Sequence, residues 1–121
     1  MSLFIKVHHR PGLSMGATEL KNLHQELSQV ASTCLDELPD YQCLTGKREE
    51  FSRLIIGVAR DEYGKMMGFC SAYLLDSGDD TPILHLGLTC VRPETRGSGL
   101  THKLTLKVVV NHLLHSSWLK P

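Results

Sequence analysis

Residues 3–9, "LFIKVHH", roughly alternate between apolar and polar side chains, the period of a strand, and "RPGLSMG" then breaks the pattern with turn residues. From Ala17 to Leu38 the period changes. Leu20, Leu23, Leu27, Val30, Ala31 and Cys34 fall at steps of three and four, which predicts a helix with Glu19, Lys21, Glu26 and Gln29 on its outer face. Pro39 is expected to close it. Residues 40–52 read as a short, highly charged second helix or as loop, and Gly46 weakens the helical reading.

The next two apolar runs, "RLIIGVARD" (53–61) and "KMMGFCSAYLL" (65–75), flank the polar connector "DEYGK" and predict an antiparallel hairpin. The turn "DSGDDT" leads to a further strand, "PILHLGLTCV" (82–91). Strict alternation there puts Leu84, Leu86, Leu88 and Cys90 on a core face, and His85, Gly87, Thr89 and Val91 on the other. After a Gly-rich junction, residues 101–115 place Leu104, Val108 and Leu114 on a helical stripe. The order predicts an α/β (α+β) domain with a mostly antiparallel sheet flanked by helices.

A chain of 121 residues suits one domain, residues 1–121, with a core large enough to need no disulfide or metal staple. Its 13 basic side chains balance 13 acidic ones, so no net field favours nucleic acid or an anionic membrane. Cys34, Cys43, Cys70 and Cys90 are scattered, without close C-x-x-C pairs, and read as reduced core thiols. No run approaches the roughly 18 apolar residues of a membrane span, and the start lacks a signal-peptide core, so a soluble cytoplasmic protein is expected. His8-His9 and His112-x-x-His115 suggest metal binding less than surface and sheet positions. An adjacent pair on a strand points to opposite faces, and the other pair has no nearby carboxylate or thiolate.

The junction "VRPETRGSGLTHK" (91–103) carries the candidate chemistry. A helix's first N–H groups point outward with partial positive charge, and a glycine turn before them lets an anion approach closely. Neither G-x-x-x-x-G-K-[ST] nor G-x-G-x-x-G is present. By itself Arg-Gly-Ser-Gly therefore reads first as a tight turn.

Its context adds a second reading. "LTCVRPETRGSGLTHKL" resembles the acyl-CoA-binding segment of the GNAT superfamily of N-acyltransferases, an apolar-x-Val-x-Pro strand end followed by [Gln/Arg]-x-x-Gly-x-[Gly/Ala]. Val91, Pro93, Arg96 and Gly99 fit that pattern, while Thr101 stands where Gly or Ala is usual. The hairpin ending its turn in Gly-Lys, and the preceding strand and helix, are similar as well. The resemblance implies a sheet that splays open at the end of its fourth strand. It implies that the backbone of Thr89, Cys90 and Val91 pairs with pantetheine and that the amides of Gly97, Ser98, Gly99, Leu100, Thr101 and His102 hold a pyrophosphate. Arg96 would touch phosphate or brace the turn.

The activity so implied is acyl transfer, with acetyl-CoA as donor, to an amine that attacks the thioester directly, without metal. His85 is the titratable candidate base on the fourth strand, its ordinary pKa of about 6.5 suiting the task, although it reads first as a sheet histidine bonded to backbone or water. Cys90 alternates with leucines and reads as a buried hydrophobe rather than a nucleophile. GNAT domains continue beyond this point with a fifth strand and further elements. The expectation is thus an incomplete domain with an exposed strand edge, weak alone and prone to homodimerise. A noncatalytic interaction module using that edge is the alternative.

Overall fold

The computed structural model describes residues 1–75, 78 and 83–115. Strands β1 (Phe4–His9), β2 (Leu54–Arg60), β3 (Met66–Leu75) and β4 (Ile83–Val91) form one antiparallel sheet in the order β1-β2-β3-β4. Helix α1 (Ala17–Ser32) follows β1, a single turn α2 (Arg48–Phe51) precedes β2, and α3 (Leu100–His115) follows β4. The polar connector expected at residues 76–81, apart from Gly78, and the chain after residue 115 lie outside the described residues.

The sheet is buried on both faces, which explains why β2 reads as an unbroken apolar run rather than an alternation. On one side Leu20, Leu23, Leu27, Val30 and Ala31 of α1 pack with Leu54, Ile56, Val58 and Phe69. On the other, Leu100, Leu104 and Val108 of α3 pack with Ile55, Ala59, Cys70 and Ala72. Each fully buried aliphatic side chain contributes about 1.5–3 kcal/mol relative to exposure. Leu114 does not continue the α3 stripe as expected: it is 68% exposed, because the stripe of residues 100, 104 and 108 runs on through Asn111 and His115, which meet His9 of β1.

Helix α1 stops at Ser32, six residues before the predicted end at Leu38. The cause is local: the Thr33 hydroxyl donates to Val30 O (2.6 Å), and the Cys34 and Leu35 amides both return to Ala31 O. The ambiguous 40–52 segment becomes a 3₁₀ turn, Gln42–Thr45, and the single turn α2, with Gly46 between them.

The largest departure from the sequence pattern is in β4. Ser71 pairs with Leu88 but Ala72 pairs with Leu86, so Gly87 is an extra residue that bulges from the strand. Alternation changes phase there. Leu88 and Cys90 pack toward α1, whereas Leu84 packs toward α3 and Leu86 is 46% exposed. His85, paired with Tyr73, consequently lies on the α1 side instead of sharing a face with Thr89 and Val91. A Cβ at Gly87 would sit 1.6 Å from Gln42 Nε2, so the bulge leaves room for the fully buried Gln42 side chain.

His8 and His9 point to opposite faces of β1. His9 stacks on His115 of α3 with ring centroids 3.8 Å apart, and its Nδ1 pairs with Asn111 Oδ1 at 2.9 Å. Burial holds His9 below the ordinary imidazole value despite the Asn111 bond, and His115, Arg10 and His112 add to the depression. Burial also lowers His8, aided by Lys6 and Arg60 and opposed by Glu26. The unfolded chain takes up these protons near pH 6.5 while the folded chain stays neutral. Stability is therefore full above that pH, falls as pH drops through it, and levels once the folded imidazoles also protonate. The urea midpoint is expected to fall between pH 7.5 and pH 5.5. In the His8→Gln/His9→Gln double variant that slope should flatten; an unchanged slope would refute the assignment.

Candidate functional site

At the C-terminal end of β4 the chain turns through a 3₁₀ turn, Pro93–Thr95, before entering α3. Arg92 fixes that turn to β3: its amide donates to Met67 O and its Nε to Met66 O, both at 2.8 Å. Thr95, almost fully buried, donates its hydroxyl to Arg92 O at 2.8 Å. Gly97 and Gly99 follow with φ of 85° and 80°, a backbone that any L side chain adopts only under strain. Nothing lies within 4 Å of where a Cβ would stand on either one. Leu100 then enters the core and anchors the first turn of α3.

A hollow of about 410 Å³ opens over this junction, lined by Val91, Thr95, Arg96, Gly97, Gly99, Leu100, Thr101 and His102. The first amide of α3 to pair internally is that of Lys103, which donates to Gly99 O at 3.1 Å. The amides of Gly97, Gly99, Leu100, Thr101 and His102 find no acceptor among the described residues. The Ser98 amide departs from the expected set: it donates to Thr95 O, as does the Ser98 hydroxyl, because the 3₁₀ turn folds back on itself there. Thr89 and Cys90 also lie outside the lining of the hollow.

Two of the lining residues, Val91 and Arg96, meet Cys34 beyond the end of α1. The Val91 carbonyl accepts the Cys34 thiol at 3.1 Å, and Arg96 places Nη2 3.7 Å from Cys34 Sγ, tying the junction to the end of α1. Partial burial pushes the Cys34 thiol up, but its contacts with Thr33 and Arg96 outweigh that and hold it below the ordinary thiol value. Cys90 is buried, and burial with the neighbouring Cys34 pushes it up to about 12, as suits a packed thiol rather than a nucleophile. The Cys34–Arg96 contact had no sequence signal, since the two residues are 62 positions apart.

Six residues up the strand, about 20 Å at the usual rise, His85 is exposed beside Tyr73. The outer edge of β4 between them has no strand partner among the described residues. The Tyr73 hydroxyl donates to Glu50 Oε2, and burial, followed by that carboxylate, pushes the phenol up to about 12, so it remains a donor. The pairing of Glu50 with Tyr73 was not legible in the sequence, because only folding brings α2 against β3.

No family model matches the chain, and no curated protein matches it. Solved structures do. An aminoglycoside acetyltransferase from an uncultured soil metagenomic sample, in complex with sisomicin, aligns with a TM-score of 0.67 at 14% identity, covering 94% of this chain and 72% of that one. The chain has the GNAT acetyltransferase fold. A GNAT-family acetyltransferase from Desulfovibrio desulfuricans aligns at 0.65 and 15% identity, covering 93% of this chain and 67% of that chain. A third neighbour, aminoglycoside N-acetyltransferase AAC(6')-Iy with the bisubstrate analogue CoA-S-monomethyl-acetylneamine, aligns at 0.57 and 22% identity, covering 91% of this chain and 71% of that one. Among the described residues, no helix is long and apolar enough to cross a membrane.

Proposed function

We propose that this GNAT-fold chain is an acyl-CoA-dependent N-acyltransferase domain, with acetyl-CoA as donor and an amine as acceptor. The observation that carries the reading is the set of unspent amides at Gly97, Gly99 and Leu100 to His102 facing a hollow at the end of β4. It is supported by neighbours that are acetyltransferases, one of them crystallised with a CoA-derived bisubstrate analogue. The residues suit a pyrophosphate: several unpaired N–H donors belong to the lining of one hollow, the macrodipole of a 16-residue helix favours negative charge, and Gly97 and Gly99 carry no Cβ to block the approach. Bound acetyl-CoA supplies a thioester, so transfer forms an amide bond, breaks the C–S bond and releases the thiol of CoA, with one proton leaving the amine.

Within that reading the chain mainly positions the reactants. Main-chain donors of the α3 junction hold the diphosphate, and Leu100 keeps them in place from the core. The unpaired outer edge of β4 from Val91 toward His85 gives an extended arm backbone to pair with. His85 accepts the proton shed by the amine, and the departing thiolate takes up a proton in turn to leave as the thiol.

Calorimetric titration tests the reading. CoA is expected to bind with measurable heat, and pantetheine, which lacks the diphosphate, to bind at least about tenfold more weakly, the equivalent of one charge-assisted hydrogen bond. A chain that forms a stable dimer by light scattering and gives no heat with CoA would instead favour an interaction module using the β4 edge.

A further inference from the structure

We infer that a second hollow, between the end of β3 and α2, binds an amine that also carries an anionic group, of which a phosphomonoester is the type. The inference rests on the acyltransferase reading only for the use made of the bound amine, as acceptor. The hollow measures about 450 Å³ and is lined by Arg10, Glu50, Arg53, Tyr73, Leu74 and Leu75. That volume lies within the range of small-molecule sites.

Two cationic residues and one anionic residue line it. The Arg10 guanidinium is steered by its Nε, which donates to Ser52 O at 2.8 Å, and its backbone is held in the left-handed region at φ 51° by an amide bond to Leu54 O. That leaves both terminal nitrogens of Arg10 without a partner among the described residues. Arg53 sits on the chain between α2 and β2, where its carbonyl accepts the Leu74 amide at 2.8 Å, and its guanidinium has no partner among the described residues. The ion pair formed among those residues is elsewhere, between Arg60 and Glu26. Unpaired guanidinium groups with fixed backbones present fork-like donors to an oxyanion.

Glu50 supplies the opposite chemistry in the same space. Its Oε2 accepts the Tyr73 hydroxyl, which fixes the carboxylate, while Oε1 has no partner among the described residues and is open to an ammonium. Tyr41 meets Tyr73 edge to face, ring centroids 6.2 Å apart. His85 stands opposite Tyr73 in the β3–β4 register, so an amine held by Glu50 lies on the side of the sheet that carries His85. A polycation would meet two guanidinium groups here; a phosphorylated amine would satisfy both signs.

Direct binding to the full chain tests this without turnover, using D-glucosamine, D-glucosamine 6-phosphate and sisomicin as probes at millimolar concentration. The phosphorylated sugar is expected to bind about tenfold or more tightly than glucosamine and more tightly than sisomicin. Arg53→Ala, which removes an exposed side chain without hydrogen bonds, should erase the advantage of the phosphate and leave CoA binding unchanged. Glu50→Gln should weaken both sugars alike. Equal binding of the two sugars, tighter binding of sisomicin, or an advantage that survives Arg53→Ala would overturn the proposal. Amine binding without CoA binding would remove the transferase reading and leave this site standing, whereas CoA binding without phosphate preference would remove this site alone.

Discussion

Gly12→Ala is expected to lower stability by about 3 kcal/mol, the upper end of what overpacking costs, and the melting temperature by roughly 10 °C. A Cβ on residue 12 would lie 2.4 Å from both Arg48 O and Ser52 N and 2.8 Å from the Phe51 carbonyl carbon. All three are main-chain atoms of the α2 turn, so no rotamer change relieves the clash. The turn is also clamped from its other side, because Arg48 Nη1 donates to Gly12 O at 2.8 Å and to Met15 O at 2.9 Å. Moving α2 outward would break those bonds and withdraw Phe51, which is wholly buried. Gly16→Ala is the control: there the nearest neighbour of a Cβ is Glu19 Oε1 at 3.6 Å, an ordinary contact. Urea denaturation of both variants checks the contrast. Equal midpoints would mean that the approach of α2 to residue 12 is not the constraint described.

The order of elements was legible because each has an unambiguous period: three- and four-residue steps over Leu20 to Val30, and apolar β-prone runs at 54–60 and 66–75. What escaped is what periodicity does not encode. The bulge at Gly87 reverses the faces of His85 and Leu84 relative to Leu88, and a strictly alternating sequence carries no mark of it beyond the glycine itself. The end of α1 at Ser32 depends on one hydroxyl closing back on Val30 O, a choice that Leu35 and Leu38 in the sequence obscured. The α3 junction was legible as a glycine turn before a helix, yet the loss of the Ser98 amide to Thr95 O depends on a 3₁₀ turn whose residues show no repeat. The Glu50–Tyr73 pair and the two arginines beside it join segments from α2, β3 and both ends of the N-terminal half, a convergence that only the sheet order produces.

Gly99→Val is expected to weaken CoA binding by about 100-fold or more while costing the fold much less than that ratio implies. At φ 80° a β-branched residue is a severe outlier, so the turn has to leave its present conformation, and the amides that follow it change direction together. Losing two charge-assisted donors at about 1.5–3 kcal/mol each corresponds to a factor of at least about 100. The fold itself is less exposed to the change, since Leu100, Leu104 and Val108 hold α3 on the sheet and the space around residue 99 is open. Strain and lost contacts are separable experimentally. Replacing the Thr101 amide by an ester through semisynthesis removes one N–H and leaves every side chain in place, and it should weaken CoA about tenfold with little change in the urea midpoint. If the ester binds CoA as the parent does, the diphosphate is not held by these main-chain donors, however large the effect of Gly99→Val.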